Sequence, residues 1–313
     1  MNQNQKNGLT NKVQSPETIL ALFTVYIPGL GVIAAMALAF RYGVSAWQIY
    51  LLLIMYLLTG LGVEVGLHRY FSHQSFKAKL PLLYYLGIFG SMAAQGPIFF
   101  WVATHRKHHA FTDTVNDPHT PKNHDGSYRG MLRAFVFSHV GWLFSNNIAK
   151  WQQYVPDLMK NRHIVRMNQY YFLWLAIGLL IPAVVGWMVE HTLLSAIQGL
   201  LWGGLVRICL LDNATWAINS FAHTFGSQPH ESGDSSRNLF WLVPLTLGGG
   251  WHNNHHKFPA LASTKIRPWE LDFGGSFVRF MEIVGLASDA KYYSNQEVNK
   301  ERARGTNNKR SAL

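Results

Sequence analysis

Four long apolar runs alternate with polar stretches along this chain. They cover residues 19–40, 47–67, 170–189 and 193–217. Their only charged residues are Glu64, Arg207 and Asp212. At about 1.5 Å of rise per residue, each run is long enough to cross about 30 Å of hydrocarbon as a helix. The pattern therefore predicts an all-α integral membrane protein with four transmembrane helices, and four such runs argue against a soluble bundle.

The basic residues predict the orientation of these helices. The 313 residues carry a net charge of +11, and the mean hydropathy of +0.03 hides the segregation of apolar and polar segments. Of 27 lysines and arginines, 25 lie in segments 1–18, 68–169 and 218–313. The positive-inside rule then places both termini and these segments in the cytoplasm. Basic surface beside a membrane favours anionic lipid and acidic protein partners, and we expect no nucleic-acid partner.

One further apolar stretch, residues 80–102, is long enough to cross but is predicted not to. Glycines and Pro97 interrupt it, and basic residues flank it on both sides. We expect a re-entrant or interfacial helical segment. The chain then divides into a polar segment 1–18, a membrane domain with a cytoplasmic helical cap over 19–275, and a basic tail over 276–313 whose end is predicted to be disordered.

Nine histidines and one asparagine form four clusters at the ends of these apolar segments. The clusters are His68-Arg-Tyr-Phe-Ser-His73, His105-Arg-Lys-His108-His109, Asn219-Ser-Phe-Ala-His223 and His252-Asn-Asn-His255-His256. Following the chain across the membrane brings all four to the cytoplasmic face. Agreement on sidedness among separate segments predicts one shared site.

The spacing inside the clusters favours metal binding on helices. Residues at i, i+3 and i+4 share a helix face, so the second and fourth clusters can each converge, as can Asn219 and His223. His68 and His73 are about 140° out of phase on an ideal helix. We therefore expect the second span to end or unwind between Arg69 and Ser72.

Neutral imidazoles suit iron, zinc, copper and nickel, and nine of them suit two ions. Iron is the first expectation, since neutral ligands beside lipid suit oxygen activation on an apolar substrate. Asn219 could complete one coordination sphere directly or through water. Asp117 and His119 could orient ligand imidazoles or form a polar turn. Glu64 could orient His68 or pair with Arg207. The zinc-protease motif His-Glu-x-x-His is absent.

From about Gly62 to Gly275 the chain resembles the membrane fatty acid desaturases of the stearoyl-CoA and acyl-lipid Δ9 type. The four clusters carry the resemblance, with the phrases Phe76-Lys-Ala-Lys-Leu-Pro81, Asn116-Asp-Pro-His119 and Ser138-His-Val-Gly-Trp142. It implies a non-haem di-iron centre, O₂ as oxidant, and a cis double bond placed in a long acyl chain. It also implies iron ligation by the nine clustered histidines, with Asn219 acting through water.

Two departures from that pattern bear on the substrate. Ala103 and Thr104 stand where acyl-CoA enzymes place an acidic–basic pair, and Gly249 stands where a glutamate is common. The first departure makes a membrane lipid or an acyl carrier protein as plausible a carrier as CoA. With no haem or iron–sulfur segment evident, we expect an external electron donor such as cytochrome b5, ferredoxin or rubredoxin.

Tyr56 is the bulkiest side chain on the helix face that leads back from His68, so it is a candidate for the end of the substrate tunnel. Packing or lipid contact is the alternative role for Tyr56. Hydroxylase and acetylenase outcomes on the same scaffold stay open. A histidine-rich metal transporter is a distant alternative, because its ligands would have to line the spans.

Overall fold

The computed structural model describes residues 16–145 and 149–294, and this part of the chain is mostly helical. The α-helices are α1 Pro16–Tyr42, α2 Ala46–Leu61, α3 Leu80–Met92, α4 Ile98–Phe111, α5 Tyr128–His139, α6 Trp151–Tyr154, α7 Pro156–Met159, α8 Arg162–Gln169, α9 Tyr171–Glu190, α10 Leu193–Gly199, α11 Arg207–Ser220, α12 His252–Lys257 and α13 Phe273–Ile283. The two short strands, β1 Lys77–Ala78 and β2 Ala287–Ser288, pair antiparallel.

Four helical stretches are long and apolar enough to cross a membrane, which confirms the predicted number. They are Ala21–Tyr42, Ala46–Ser72, Tyr171–Glu190 and Leu193–Ser220. The second and fourth stretches are about half buried in the protein, 56% and 50%, whereas the first and third are 22% and 17% buried. The second and fourth spans therefore form an inner pair, and the first and third an outer pair that faces lipid.

Both inner spans contain π-helical winding, in which the backbone bonds run from i to i+5. The second span changes from α2 to a π-helix over Gly62–Ser72, and the fourth has π-helical winding over Leu200–Val206. Such winding is rare and is found mostly at functional sites. In the second span it occupies the segment that carries the first histidine cluster.

Glycines let the spans approach one another closely. A Cβ added at Gly62 would collide with the backbone of Gly90 on α3, and one at Gly199 would collide with the carbonyl of Pro182 on α9. The third and fourth spans also meet at Gly186. Only glycine permits these backbone contacts, which fix α3 against the second span and the third span against the fourth.

The apolar stretch 80–102 does not form one span. It is divided between α3 and α4 by a turn in which Ala94 and Gly96 have positive φ, and Pro97 precedes the first turn of α4. A proline suits this position because the first helical N–H groups have no partner within the helix. The turn allows α4 to bring its histidines to the face where the second span ends.

The last part of the described chain is bound to the cap. The strand β2 pairs with β1, and the Lys291 N–H donates to the Ser75 carbonyl, two residues after His73. Lys291 also accepts from the Ala262 N–H. The predicted domain boundary at residue 275 falls inside α13. The predicted disorder at the end of the tail lies in part outside the described residues.

Candidate metal centre

Eight of the clustered histidines converge in two groups of four. The first group, here the first site, is His68, His73, His105 and His255, and the second site is His108, His223, His252 and His256. The ninth, His109, has its Nε2 atom 3.0 Å from the Nε2 atom of His255, which places it at the first site. Segments that lie far apart in the sequence thus supply each site.

Two helices divide their histidines between the sites. On α4, His105 and His109 face the first site, while His108 faces the second. On α12, His252 and His256 face the second site and His255 faces the first. The spacing had suggested convergence within each cluster, but the structure gives each of these helices a ligand for both sites. The same two helices therefore hold the two sites next to each other.

The π-helical winding explains how His68 and His73 reach the same site. Their rings lie 5.2 Å apart, and His73 directly follows the π-helix that ends at Ser72. Because a π-helix pairs i with i+5, residues five apart come onto nearly the same face. The expected change in winding is present in this segment, and it takes the form of a wider helix rather than an unwound one.

Carboxylates face the Nδ1 atoms of four of these histidines. Both Asp117 oxygens are 3.0 Å from His108 Nδ1, and an Asp234 oxygen is 2.7 Å from His256 Nδ1. An Asp113 oxygen lies 3.4 Å from His223 Nδ1, and a Glu64 oxygen lies 3.3 Å from His68 Nδ1. A carboxylate at Nδ1 fixes the ring and leaves the Nε2 lone pair for a metal.

The distances between the histidines of the second site show whether these residues fit a metal ion. His108 and His256 both present Nδ1 to a carboxylate, so both Nε2 atoms are acceptors, yet these atoms lie only 3.3 Å apart. Two lone pairs at that distance repel one another unless a cation lies between them. Burial lowers the pKa of His256 to about 4, so a proton is a poor candidate for that cation. Neutral imidazole nitrogens are the ligands that iron and zinc accept, and the residues present fit a metal.

Burial acts in the same direction on three histidines of the first site. It lowers the pKa of His73, His105 and His255 well below the usual range, and neighbouring histidines add to the effect. Burial raises the pKa of the Asp117 carboxyl, but His108 and His119 more than offset this, and the balance lies below the usual range. These pKa directions favour neutral imidazoles at the first site and an ionised carboxylate at Asp117.

Two of these carboxylates, Asp113 and Asp234, were missed by the sequence reasoning. Asp113 follows His109 by four residues and also accepts hydrogen bonds from Ser235. Asp234 accepts from Ser232 and Ser236 on either side of it. An aspartate alternating with serines between the third and fourth clusters was the available signal.

Glu64 belongs to a buried chain of charges. One oxygen faces His68 Nδ1, and the other accepts from Arg69 at 2.7 Å. Arg69 is 1% exposed and also donates to Asp272 at 2.9 and 3.0 Å. Of its two predicted partners, Glu64 contacts His68 and does not contact Arg207. The guanidinium group of Arg207 donates instead to the carbonyls of Met92 and Gly203.

A cavity of about 350 Å³ opens beside the first site. Most of its large side chains are aromatic, namely Phe100, Trp101, Trp142, Trp151, Phe172 and Trp216. A narrower cavity of about 50 Å³ lies between the two sites and reaches Gly60 and Leu211 of the inner spans. Trp101, His105, Thr215 and Asn219 line both cavities. An apolar chain could therefore pass from the larger cavity to the metal centre.

A model of the fatty acid desaturase family matches residues 45–272. This chain belongs to the fatty acid desaturase family. It is 39% identical, over 92% of its length and 91% of the relative, to hex-5-enoyl-[acyl-carrier protein] acetylenase from Moorena producens (strain JHB). It is 36% identical to the sn-1 stearoyl-lipid 9-desaturase of Synechocystis sp. (strain ATCC 27184 / PCC 6803 / Kazusa), over 76% of this chain and 70% of the relative. It is 35% identical to the Delta-9 acyl-lipid desaturase 1 of Arabidopsis thaliana, over 78% of this chain and 75% of the relative.

The chain is accordingly a membrane-embedded oxidoreductase whose histidine clusters can hold metal. The structure also offers an account of Gly249 in this desaturase. A Cβ at Gly249 would lie 3.1 Å from a Glu64 oxygen and 2.9 Å from Ile218. Glycine there leaves room for the Glu64 carboxylate beside His68, so an acid reaches this desaturase's first site from the second span.

Three predicted site residues of the desaturase lie near the centre in different ways. Asn219 borders both cavities beside His108 and His252. The ring of His119 lies tilted against that of His108, with centroids 4.5 Å apart, and lines the larger cavity. Tyr56 lies outside the residues that line either cavity, and its hydroxyl donates to the Leu245 carbonyl. The tunnel role of Tyr56 stays a prediction.

Proposed function

We propose that this desaturase uses two iron ions and O₂ to introduce a cis double bond, at Δ9, into a long acyl chain. The observation that carries the proposal is the convergence of nine histidines on two sites beside an apolar cavity. Iron bound there would activate O₂, which would take up the two hydrogens of neighbouring methylenes, together with two electrons from the external donor and two protons, and leave as two waters. The nine histidines would bind it, with Asn219 acting through water.

The residues around the centre would orient the reactants. The carboxylates of Asp117, Asp234 and Glu64 would fix ligand rings through Nδ1, and that of Asp113 lies 3.4 Å from His223 Nδ1. The aromatic cavity would exclude water and hold the acyl chain so that one pair of carbons lies at the metals. Trp101 stacks on His105, with ring centroids 5.1 Å apart, and its indole N–H donates to Gln95. The stacking holds Trp101, which is part of the cavity wall, against the metal-ligand candidate His105.

The proposed orientation places both termini and the centre in the cytoplasm. It is supported by the basic residues of segments 68–169 and 218–313, which flank the side of the spans where the histidines lie. The same basic surface suits an acidic external electron donor of the cytochrome b5, ferredoxin or rubredoxin type.

The acyl carrier is proposed to be CoA or a membrane lipid, and two relatives named as acyl-lipid or stearoyl-lipid 9-desaturases support the lipid. A second candidate is an acetylenase acting on a chain bound to acyl carrier protein. Its support is the acetylenase relative, which matches along 91% of its own length, whereas those two desaturases match along 70% and 75%.

Expression in a host that lacks Δ9 activity, beside a His108→Ala control, tests these alternatives. Mass spectrometry would locate new double or triple bonds in CoA thioesters, carrier-protein thioesters and phospholipids. A Δ9 alkene absent from the control supports desaturation, and the pool that is labelled first identifies the carrier. A triple bond on carrier protein supports the acetylenase, and a hydroxylated product would contradict both.

A further inference from the structure

The carboxylates around the metal centre are unevenly divided between its two sites. At the second site, three of the four histidines face an aspartate through Nδ1: His108 faces Asp117, His223 faces Asp113, and His256 faces Asp234. The positive charge of the half-buried Lys107 interacts favourably with the Asp117 carboxylate. The second site therefore lies inside a group of acids.

The first site has one such contact, from Glu64 to His68. That carboxylate is already paired with the buried Arg69, which also binds Asp272. A second guanidinium, that of Arg106, donates to the carbonyls of Phe71 and Ser72 beside His73 and pairs with Asp157. Among the described residues, no carboxylate is recorded at Nδ1 of His73, His105, His109 or His255.

The histidines of the two sites also differ in solvent exposure, and again the difference favours tighter binding at the second site. All four histidines of the second site are buried, whereas His73 and His105 of the first site are only partly buried, as is His109. A chelator or solvent molecule can therefore approach the first site more easily. The opposing factor is the fifth histidine of the first site, against four histidines and Asn219 at the second.

Building on the di-iron function proposed above, we infer that the two sites are unequal in metal affinity. The second site holds its ion tightly, and the first site holds the ion that binds last and leaves first. A carboxylate at Nδ1 raises the basicity of a ligand imidazole and fixes its tautomer, and losing such a partner typically weakens metal affinity about 10- to 100-fold. Asp117 and Asp234 act in this way through hydrogen bonds, and Asp113 adds a carboxylate 3.4 Å from His223 Nδ1. Together the three aspartates favour a dipositive or tripositive ion at the second site.

The positioning residues for the ion of the second site are then Asp113, Asp117 and Asp234. The positioning residue for the ion of the first site is Glu64. The assignment makes the two groups separable by experiment, because each acts through histidines that belong to a single site. A purely structural role for the aspartates would affect both ions together.

The test follows the release of iron from the purified, iron-loaded protein to a ferrous chelator, in detergent under reducing conditions. The total metal content is measured first. Two ions per chain in the presence of excess ferrous iron support the di-iron proposal, and one or none under that condition contradicts the proposal before the inequality is tested. With two ions, we expect two release phases of equal amplitude whose rates differ about tenfold or more.

Variants assign the phases. Asp117→Asn and Asp234→Asn should speed the slow phase about 10- to 100-fold and leave the fast phase unchanged, and Glu64→Gln should speed only the fast phase. His73→Ala should retain one slowly released ion, and His252→Ala one rapidly released ion. The matched control Asp125→Asn removes an exposed carboxylate of the cap and should change neither phase.

A single release phase in the wild-type protein would overturn the inference, as would aspartate variants that speed both phases equally. Circular dichroism and gel filtration of each variant separate these results from misfolding. Should an aspartate variant fail to fold, wild-type protein loaded with one equivalent of iron-57 decides by Mössbauer spectroscopy. A single iron spectrum that matches that of the His73→Ala variant would mean that the first ion binds at the second site, which supports the inference. A spectrum that matches that of the His252→Ala variant would mean that it binds at the first site, which contradicts the inference.

Discussion

The inner and outer pairs of spans differ in what they bury and in how they are wound. The inner spans, Ala46–Ser72 and Leu193–Ser220, contain π-helical segments, close glycine contacts and the charged residues Glu64, Arg69, Arg207 and Asp212. The outer spans, Ala21–Tyr42 and Tyr171–Glu190, are α-helical throughout, each with one internal proline, and they expose large apolar side chains such as Leu30 and Leu180.

The comparison shows how a membrane protein separates anchoring from chemistry. Charged groups are costly in hydrocarbon and are retained where they face the protein interior. The inner pair can carry them because the outer pair, α3 and the cap cover it. We therefore expect substitutions in the inner pair to affect the metal centre and substitutions in the outer pair to have little effect.

The largest effect is expected where a metal ligand of the cap is removed. His252→Ala should reduce product formation to background and lower the bound metal from two ions to one, because a buried site loses one of its four histidines. Metal analysis and product analysis measure the two outcomes. His124→Ala, which removes an exposed cap histidine, should leave both unchanged.

The next effect concerns the glycine contact between the second span and α3. Gly62→Val should prevent normal folding, because even its Cβ would collide with the Gly90 backbone. Gly29→Val in the outer pair meets no atom within 4 Å and is the control. Detergent gel filtration of both variants checks the expectation, and a monodisperse Gly62→Val protein would contradict it.

Removing the buried guanidinium of Arg69 should destabilise the protein by about 3–5 kcal/mol, because Glu64 and Asp272 would be left buried without their partner. Thermal unfolding in detergent measures the loss in Arg69→Met. The matched change Arg41→Met removes an exposed arginine at the end of the first span and should have little effect. Equal unfolding temperatures for the two variants would argue against the charge chain.

Tyr56→Ala sharpens the comparison within one inner span. If Tyr56 ends the tunnel, the variant should shift the preference between two chain lengths by about tenfold toward the longer one. Tyr50→Ala, on the same helix with a 65% exposed ring, is the control. Competition assays with acyl chains of graded length measure the shift, and an unchanged profile would exclude Tyr56 from the tunnel.

The smallest effect is expected at the link between the second and third spans. The indole of Trp47 donates to Glu190 at 2.8 Å in an exposed position. Glu190→Gln should change the stability by no more than about 0.5 kcal/mol, as is usual for surface substitutions. A larger loss would show that the outer pair contributes more than anchoring.

The sequence predicted the four spans because length and apolarity together determine which helices can cross a membrane. It also predicted that the four histidine clusters lie on one side, since that follows from counting crossings. The turn between α3 and α4 could be anticipated from Gly96 and Pro97, whose backbone preferences are strong and local.

Other features depend on contacts between distant segments and could not be read from local spacing. The i to i+5 relation of His68 and His73 indicated a break in the α-helix, but π-helical winding is too rare to be the first expectation. Asp113 and Asp234 reach ligand histidines only once the loops have folded against each other. The division of His105, His108 and His109 between two sites likewise depends on where α12 docks.

That division by α4 and α12 has a consequence for biosynthesis. His108 and His256 meet across a separation of 148 residues, and His109 and His255 across 146. At about 5–20 residues per second, the ribosome needs on the order of ten seconds to make that interval. Neither coordination sphere can be completed during this time, so the nascent chain holds half-built sites at the membrane surface. The full set of ligands for either ion therefore exists only after α12, which follows the last span, has been made.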